Sequence, residues 1–431
     1  MSAAARLRRL GAKLGNGHFA VADQLAMVGG NFLMNLTLAR AGDLEAFGSF
    51  SVLYALLVLV NAGQSALIGE PLALSRELDA QQRPRALDGQ RASLHIVLPF
   101  SALLAVHAFA TMPGLGLFHA LLFVLACTAC SAYWSSKGRL HALGKHRSAF
   151  NASLSGGVVV VATALLAITR TDAVTAGLVA IVVSALCGLA VALHADGERR
   201  AHASLSLRGV AELGKAGLPI ALLVWIANNI VFLMLGQAQR LDDAAGLRAI
   251  LTLLLPVNQV MIGCSAFVLP QLAAMSRAGE QDRIAAFSGR ALVVSVGAAL
   301  VSGVATCLAA GPVSRLVLGP QFDPYIQALR LVAIALPASW ACVIVVRAHF
   351  QGGRRPRFVL FGYVSALVLG VPVAAWALHQ DGTWAAAAAT LAIHGSLAVV
   401  LFGLFVFDVR ARRHADAHAR TSEIARPEET T

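Results

Sequence analysis

The chain has 431 residues, of which 58% are hydrophobic and only 13% charged, with a mean hydropathy of +0.71. Soluble domains are near half apolar and about a quarter charged, so a water-soluble fold, which could not hide this much apolar surface, is excluded. The net charge of +12 and pI near 10.2 do not mark a nucleic-acid binder, because the basic residues are scattered over many short segments instead of one face or helix; membrane lipids are the expected anionic neighbours.

Apolar stretches of the roughly 20 residues needed to cross a hydrocarbon core recur from end to end. A cytosolic N-terminal arm, 1–15, carries Arg6, Arg8, Arg9 and Lys13 and precedes a first predicted span at 19–40. That pairing imitates a signal peptide, but the apolar run is long and holds Asp23, Asn31 and Asn35, which points to an uncleaved first helix. Spans at 47–73, 94–112, 115–135, 149–169 and 173–194 complete an N-lobe over 16–195. A polar cytosolic linker, 196–215, leads to a C-lobe over 216–408, with spans at 216–237, 246–271, 290–311, 327–347, 358–378 and 383–407. The charged tail, 409–431, is expected to be disordered. The apolar runs do not alternate as barrel strands do, and backbone groups in lipid must be satisfied internally. The expectation is therefore an all-α polytopic membrane protein of about twelve transmembrane helices.

With the N-terminus placed inside, every one of the 34 Lys and Arg residues except Arg40, Arg170, Arg240, Arg248, Arg315 and Arg330 falls on the cytosolic side. The positive-inside rule then puts both termini in the cytosol and makes the helix count even. Cys127 and Cys130 form a CxxC inside an apolar span and, with no second ligand pair, read as packing residues and not a zinc or redox site.

The chain also matches itself. At one constant offset Asn31 falls on Asn229, Glu45 on Asp243, Gly48 on Gly246 and Leu53 on Leu251. At a slightly larger one, Arg139, His141, Gly144, Arg147 and Phe150 fall on Arg347, His349, Gly352, Arg355 and Phe358. Two six-helix lobes of like orientation follow, related by a pseudo-twofold along the membrane normal, an architecture that places transporter sites between lobes.

Ionisable groups inside a span are costly and are functional candidates by default. Asp23 in the first span and Glu70 near the cytosolic end of the second are the ion-coupling candidates; pairing with a basic neighbour such as Arg91 or Arg139 is the purely structural alternative. Gln24, Asn31, Asn35, Asn61, Asn228, Asn229, Asn258 and Gln259 are cavity polar candidates, able to hydrogen-bond sugar hydroxyls or simply to tie helices together. Arg139 and its repeat partner Arg347, with Arg40 and Arg248 near the opposite face, could grip a diphosphate bidentately. No Walker A, HExxH, GxSxG or kinase pattern is present, and no enzyme activity, cofactor or metal is expected beyond coupling to H+ or Na+.

The run Asp23-Gln24, Asn31-Phe32, Ala39-Arg40 and Phe47-Gly48, the tetrapeptide Gly69-Glu70-Pro71-Leu72, and Pro256-Val257-Asn258 with Leu269-Pro270 resemble the polysaccharide-biosynthesis flippases of the multidrug/oligosaccharidyl-lipid/polysaccharide exporter superfamily. The resemblance covers most of the chain through diffuse motifs. It implies two six-helix lobes around a cationic, hydrated cavity, alternating access, and ion coupling through a first-helix acid, the position Asp23 holds. The function it implies is translocation of a polyprenyl-diphosphate-linked oligosaccharide across a bacterial inner membrane, with a polysaccharide polymerase or glycosyltransferases as partners. A cation-coupled drug or metabolite antiporter of the same superfamily and a non-transporting scaffold of a glycan-assembly complex are the alternatives. The absence of an extra helix pair argues against a peptidoglycan precursor as substrate.

Overall fold

The computed structural model describes the backbone over 3–69, 86–112, 114–196, 217–353, 355–380 and 382–424. Side chains are described over 18–19, 21–68, 94–112, 114–141, 143–195, 217–263, 268–280, 283–353, 355, 357–380 and 382–411. Glu70, the 197–215 part of the expected linker and the side chain of Arg91 lie outside these residues.

Among the described residues there are twelve α-helices and no strand. They are α1 (Ala3–Ala41), α2 (Leu44–Gln64), α3 (Ala86–Thr111), α4 (Leu117–Ala142), α5 (His146–Ala167), α6 (Ala173–Asp196), α7 (Gly217–Gln237), α8 (Leu241–Arg277), α9 (Gln281–Val317), α10 (Ile326–Gly352), α11 (Pro356–Leu378) and α12 (Ala385–Ile424). A π-turn, Ser65–Gly69, extends α2, and a 3-10 turn, Pro320–Tyr325, precedes α10. Eleven of the twelve are long and apolar enough to cross a bilayer; α1, whose apolar run is interrupted by Asp23, Gln24, Asn31 and Asn35, is not among those eleven. Large apolar side chains such as Leu103, Val293, Leu308 and Phe361 stand exposed, as lipid-facing residues do.

Helices α1, α8, α9 and α12 run past the apolar stretches that marked them. The added turns are rich in Ala and Arg, strong helix formers that need no lipid to stay helical.

Packing divides the chain into two compact units: 1–253 with 312–325, and 254–311 with 326–431. In the first, small residues let helices approach closely, as is usual in membranes: a Cβ on Gly30 of α1 would lie 2.7 Å from Gly157 Cα of α5, and one on Gly48 of α2 would lie 1.9 Å from the Leu241 carbonyl oxygen of α8. Helix α7 also belongs to this unit, because Trp225 Nε1 donates to the Ala55 carbonyl of α2 at 2.8 Å. The 312–325 segment is held there by Arg40, whose guanidinium donates to the Leu316 carbonyl at 2.6 Å, and by Gln321, which donates to the Ala39 carbonyl at 3.0 Å. Phe322 meets Phe47 edge to face at 6.5 Å. In the second unit Val268, Leu272, Ile284 and Ala348 form a core cluster joining α8, α9 and α10, and Met261, Ala299 and Ala341 form another.

Candidate functional site

Tyr133, Lys137 and His141 are spaced four apart on α4 and therefore share one face. That face meets Asp23 and Met27, one turn apart on α1, and Ser153 on α5. Asp23 is 3% exposed; its Oδ2 lies 2.9 Å from His141 Nε2 and 3.4 Å from Lys137 Nζ. The Lys137 ammonium, on a residue 9% exposed, also donates to Ser153 Oγ at 3.2 Å and reaches Met27 Sδ at 3.3 Å. Tyr133 closes the group with a 2.8 Å bond to the same Ser153 hydroxyl. Asp23 Oδ1 is buried without a hydrogen-bond partner among the described residues.

Behind His141 stands a second imidazole. His141 Nδ1 lies 3.1 Å from His146 Nδ1, so one ring donates and the other accepts. The turn between α4 and α5 makes this possible: Gly144 takes φ +77°, the Lys145 amide donates to the Leu140 carbonyl and the Gly144 amide to the His141 carbonyl. This glycine-closed helix end reverses the chain sharply enough for the first residue of α5 to face the last turn of α4. Next to Tyr133 and Ser153 lies a cavity of about 60 Å³, lined in addition by Met27, Asn31, Trp134 and Ser184, polar and roomy enough for water.

The second unit builds a related group around His349, the repeat partner of His141. His349 Nδ1 meets Ser288 Oγ at 2.9 Å and its Nε2 meets Asp408 Oδ2 at 3.2 Å, while Arg355 binds Asp408 Oδ1. His349 and Asp408 are 1% and 3% exposed. Here both carboxylate oxygens have partners. The acid comes from α12 in this unit and from α1 in the other.

Among the described residues Asp23 is thus paired as the structural alternative required, with Lys137 and His141 as its partners. Arg139, two residues from each, is buried on another face of α4. Arg347 is half-buried beside the Tyr363 phenol. Arg248 stacks between Phe232 and Tyr54 at 4.3 and 4.9 Å and donates to the Ser51 carbonyl at 3.0 Å; Arg40 is the clamp described above.

Among the amides, Asn31 lines the cavity, and Asn35 is buried and donates to the Asn31 carbonyl at 2.8 Å. Asn228 and Asn229 likewise bond carbonyls one turn back in α7, at 2.6 and 3.1 Å. Gln24 is exposed, and Asn61, Asn258 and Gln259 are half-buried. Lys137, His146, Ser153, Ser288 and Asp408 were not among the candidates. The four-residue spacing of Tyr133, Lys137 and His141 is the signal that would have found the first of them.

Comparison by sequence finds no matching family model and no matching characterised protein. Comparison of structures finds membrane transporters. An inward-facing multidrug-resistance MATE-family transporter of the MOP superfamily aligns with a TM-score of 0.69 at 16% identity, over 92% of this chain and 99% of that one. The lipid II flippase MurJ in its inward closed conformation aligns with a TM-score of 0.72 at 11% identity, over 91% and 87%. A eukaryotic MATE transporter aligns with a TM-score of 0.64 at 16% identity, over 94% and 99%. The chain is a multi-pass membrane protein with a two-lobe transporter fold. In particular, that fold is the one shared by MATE transporters and the MurJ flippase, members of the exporter superfamily that the sequence resembles.

Proposed function

We propose that the protein is an alternating-access flippase that carries a polyprenyl-diphosphate-linked oligosaccharide across a bacterial inner membrane, with both termini in the cytosol. The observation that carries this reading is the basic end of α4, where Lys137 and His141 meet Asp23 and Arg139 stands on another face of the same helix. Such a helix end suits an anionic headgroup better than a cationic drug. The likeness to MurJ supports a lipid-linked cargo. Arg139 and Arg347 are the proposed contacts for the diphosphate, with Arg40 and Arg248 serving its release, and the amides of α1, α2, α7 and α8 receive the sugar. Asp23 and Glu70 are the proposed coupling acids. A polysaccharide polymerase or glycosyltransferases would supply or consume the cargo. The boundaries of arm, lobes, linker and tail read from the sequence are kept as part of this proposal.

The test is reconstitution of the full chain in liposomes that carry a fluorescent polyprenyl-diphosphate disaccharide, with an impermeant quencher outside. The protein should move label between leaflets, and Asp23→Asn and Arg139→Ala should each slow it by about tenfold or more at normal levels of inserted protein. Transport of an organic cation with no movement of the lipid would replace this reading with the antiporter, which the MATE alignments favour. Movement of neither would favour the scaffold.

A further inference from the structure

The chain His146, His141, Asp23 has a direction. One end is a half-buried ring at the start of α5, and the other is a carboxylate 3% exposed, with atoms in hydrogen-bond reach at both steps. We infer that His146 and His141 are the route by which a proton reaches Asp23, and that the exchange is specific for protons because the Lys137 ammonium already fills the place a metal cation would need.

The step balances. A proton on His146 Nδ1 passes to His141 Nδ1 while the proton on His141 Nε2 passes to Asp23 Oδ2. Both rings finish neutral, the carboxylate becomes a carboxylic acid, and the charge of His146 is consumed. Among the described residues the groups facing Asp23 are Lys137, His141 and Tyr133 from α4, with Ser153 and His146 of α5 behind them.

Lys137 sets the ion. Its ammonium lies beside Oδ2 and binds Ser153 Oγ, so an incoming sodium ion would meet a fixed positive charge and find the nearest hydroxyl occupied. Protonation of Asp23 removes the counter-charge of Lys137 and leaves the ammonium on Ser153 beside the 60 Å³ cavity. The core of this unit then carries one more net positive charge, which disfavours a cationic cargo and favours an anionic one. The second unit provides the contrast: Asp408 is closed on both oxygens by Arg355 and His349, so the matching imidazole there belongs to a clamp.

This inference names the coupling ion for the cycle proposed above and rests on that reading for its purpose, but its test contains no transported lipid, so either can fail alone. The full chain in lipid films is taken through pH jumps under infrared difference spectroscopy. A carboxylic-acid C=O band should appear on acidification and be lost in Asp23→Asn. Its rate of appearance should fall by about a hundredfold in His146→Gly and be restored by added imidazole, a rescue that a purely structural role would not give. Replacing sodium with choline should leave the band unchanged, whereas in Lys137→Gln sodium should suppress it. A band that survives Asp23→Asn, an unchanged rate in His146→Gly, or sodium suppression in the unsubstituted protein would each overturn the assignment.

Discussion

Lys137 keeps the buried charge of the first unit tolerable, since removing one member of a buried ion pair strands the other. Lys137→Met should therefore lower unfolding stability in detergent by about 3 kcal/mol, and Asp23→Asn combined with it should recover most of that loss; equal losses in the single and double variants would show that the pair contributes nothing. Asp23 itself was legible in the sequence, because an acid within an apolar run is conspicuous. Its partner was not, because Lys137 reads equally well as one more cytosolic positive charge near a helix end. The amides were legible as polar residues on matching helices, but the pattern does not disclose that Asn35, Asn228 and Asn229 bond carbonyls one turn back in their own helices.

Helix α1 lies against α5 only because neither has a side chain at the crossing. Gly157→Leu should disrupt this pair, since even a Cβ would come 2.9 Å from the Ala26 carbonyl oxygen; overpacking of this kind costs about 1–3 kcal/mol and should lower the melting temperature in detergent. At the α4–α5 turn, Gly144→Ala should cost roughly 1–2 kcal/mol for a left-handed backbone and move His146 away from His141. Span centres were readable from hydropathy, because the bilayer demands one apolar run per crossing. Helix ends were not, because helix propensity continues where the apolar run stops, as the turns of α8 and α9 beyond their predicted limits show. Gly144 and Gly352 match in sequence, yet only Gly144 has positive φ; Gly352 instead admits Leu272 of α8, 2.6 Å from where its Cβ would be.

The repeat was visible in the sequence, but the compact units follow packing and divide the chain elsewhere, next to Pro256 in α8 and at Pro312 in α9. A proline leaves a carbonyl one turn back without its helical donor. Pro256→Ala should therefore reduce amide hydrogen exchange around Thr252, and unchanged exchange would show that this stretch of α8 is already closed. Orientation can be read separately. A cysteine at Gln239 should react with an impermeant maleimide in intact cells and one at Gly279 only after permeabilisation, above the background of the native thiols; the reverse pattern would invert the proposed topology. The two related histidines carry a consequence of their own. His141 and His349 occupy matching repeat positions, yet one meets an acid of α1 and the other an acid of α12. Because the two acids sit on different helices in different units, either pair can be lost or retuned without removing a partner from the other.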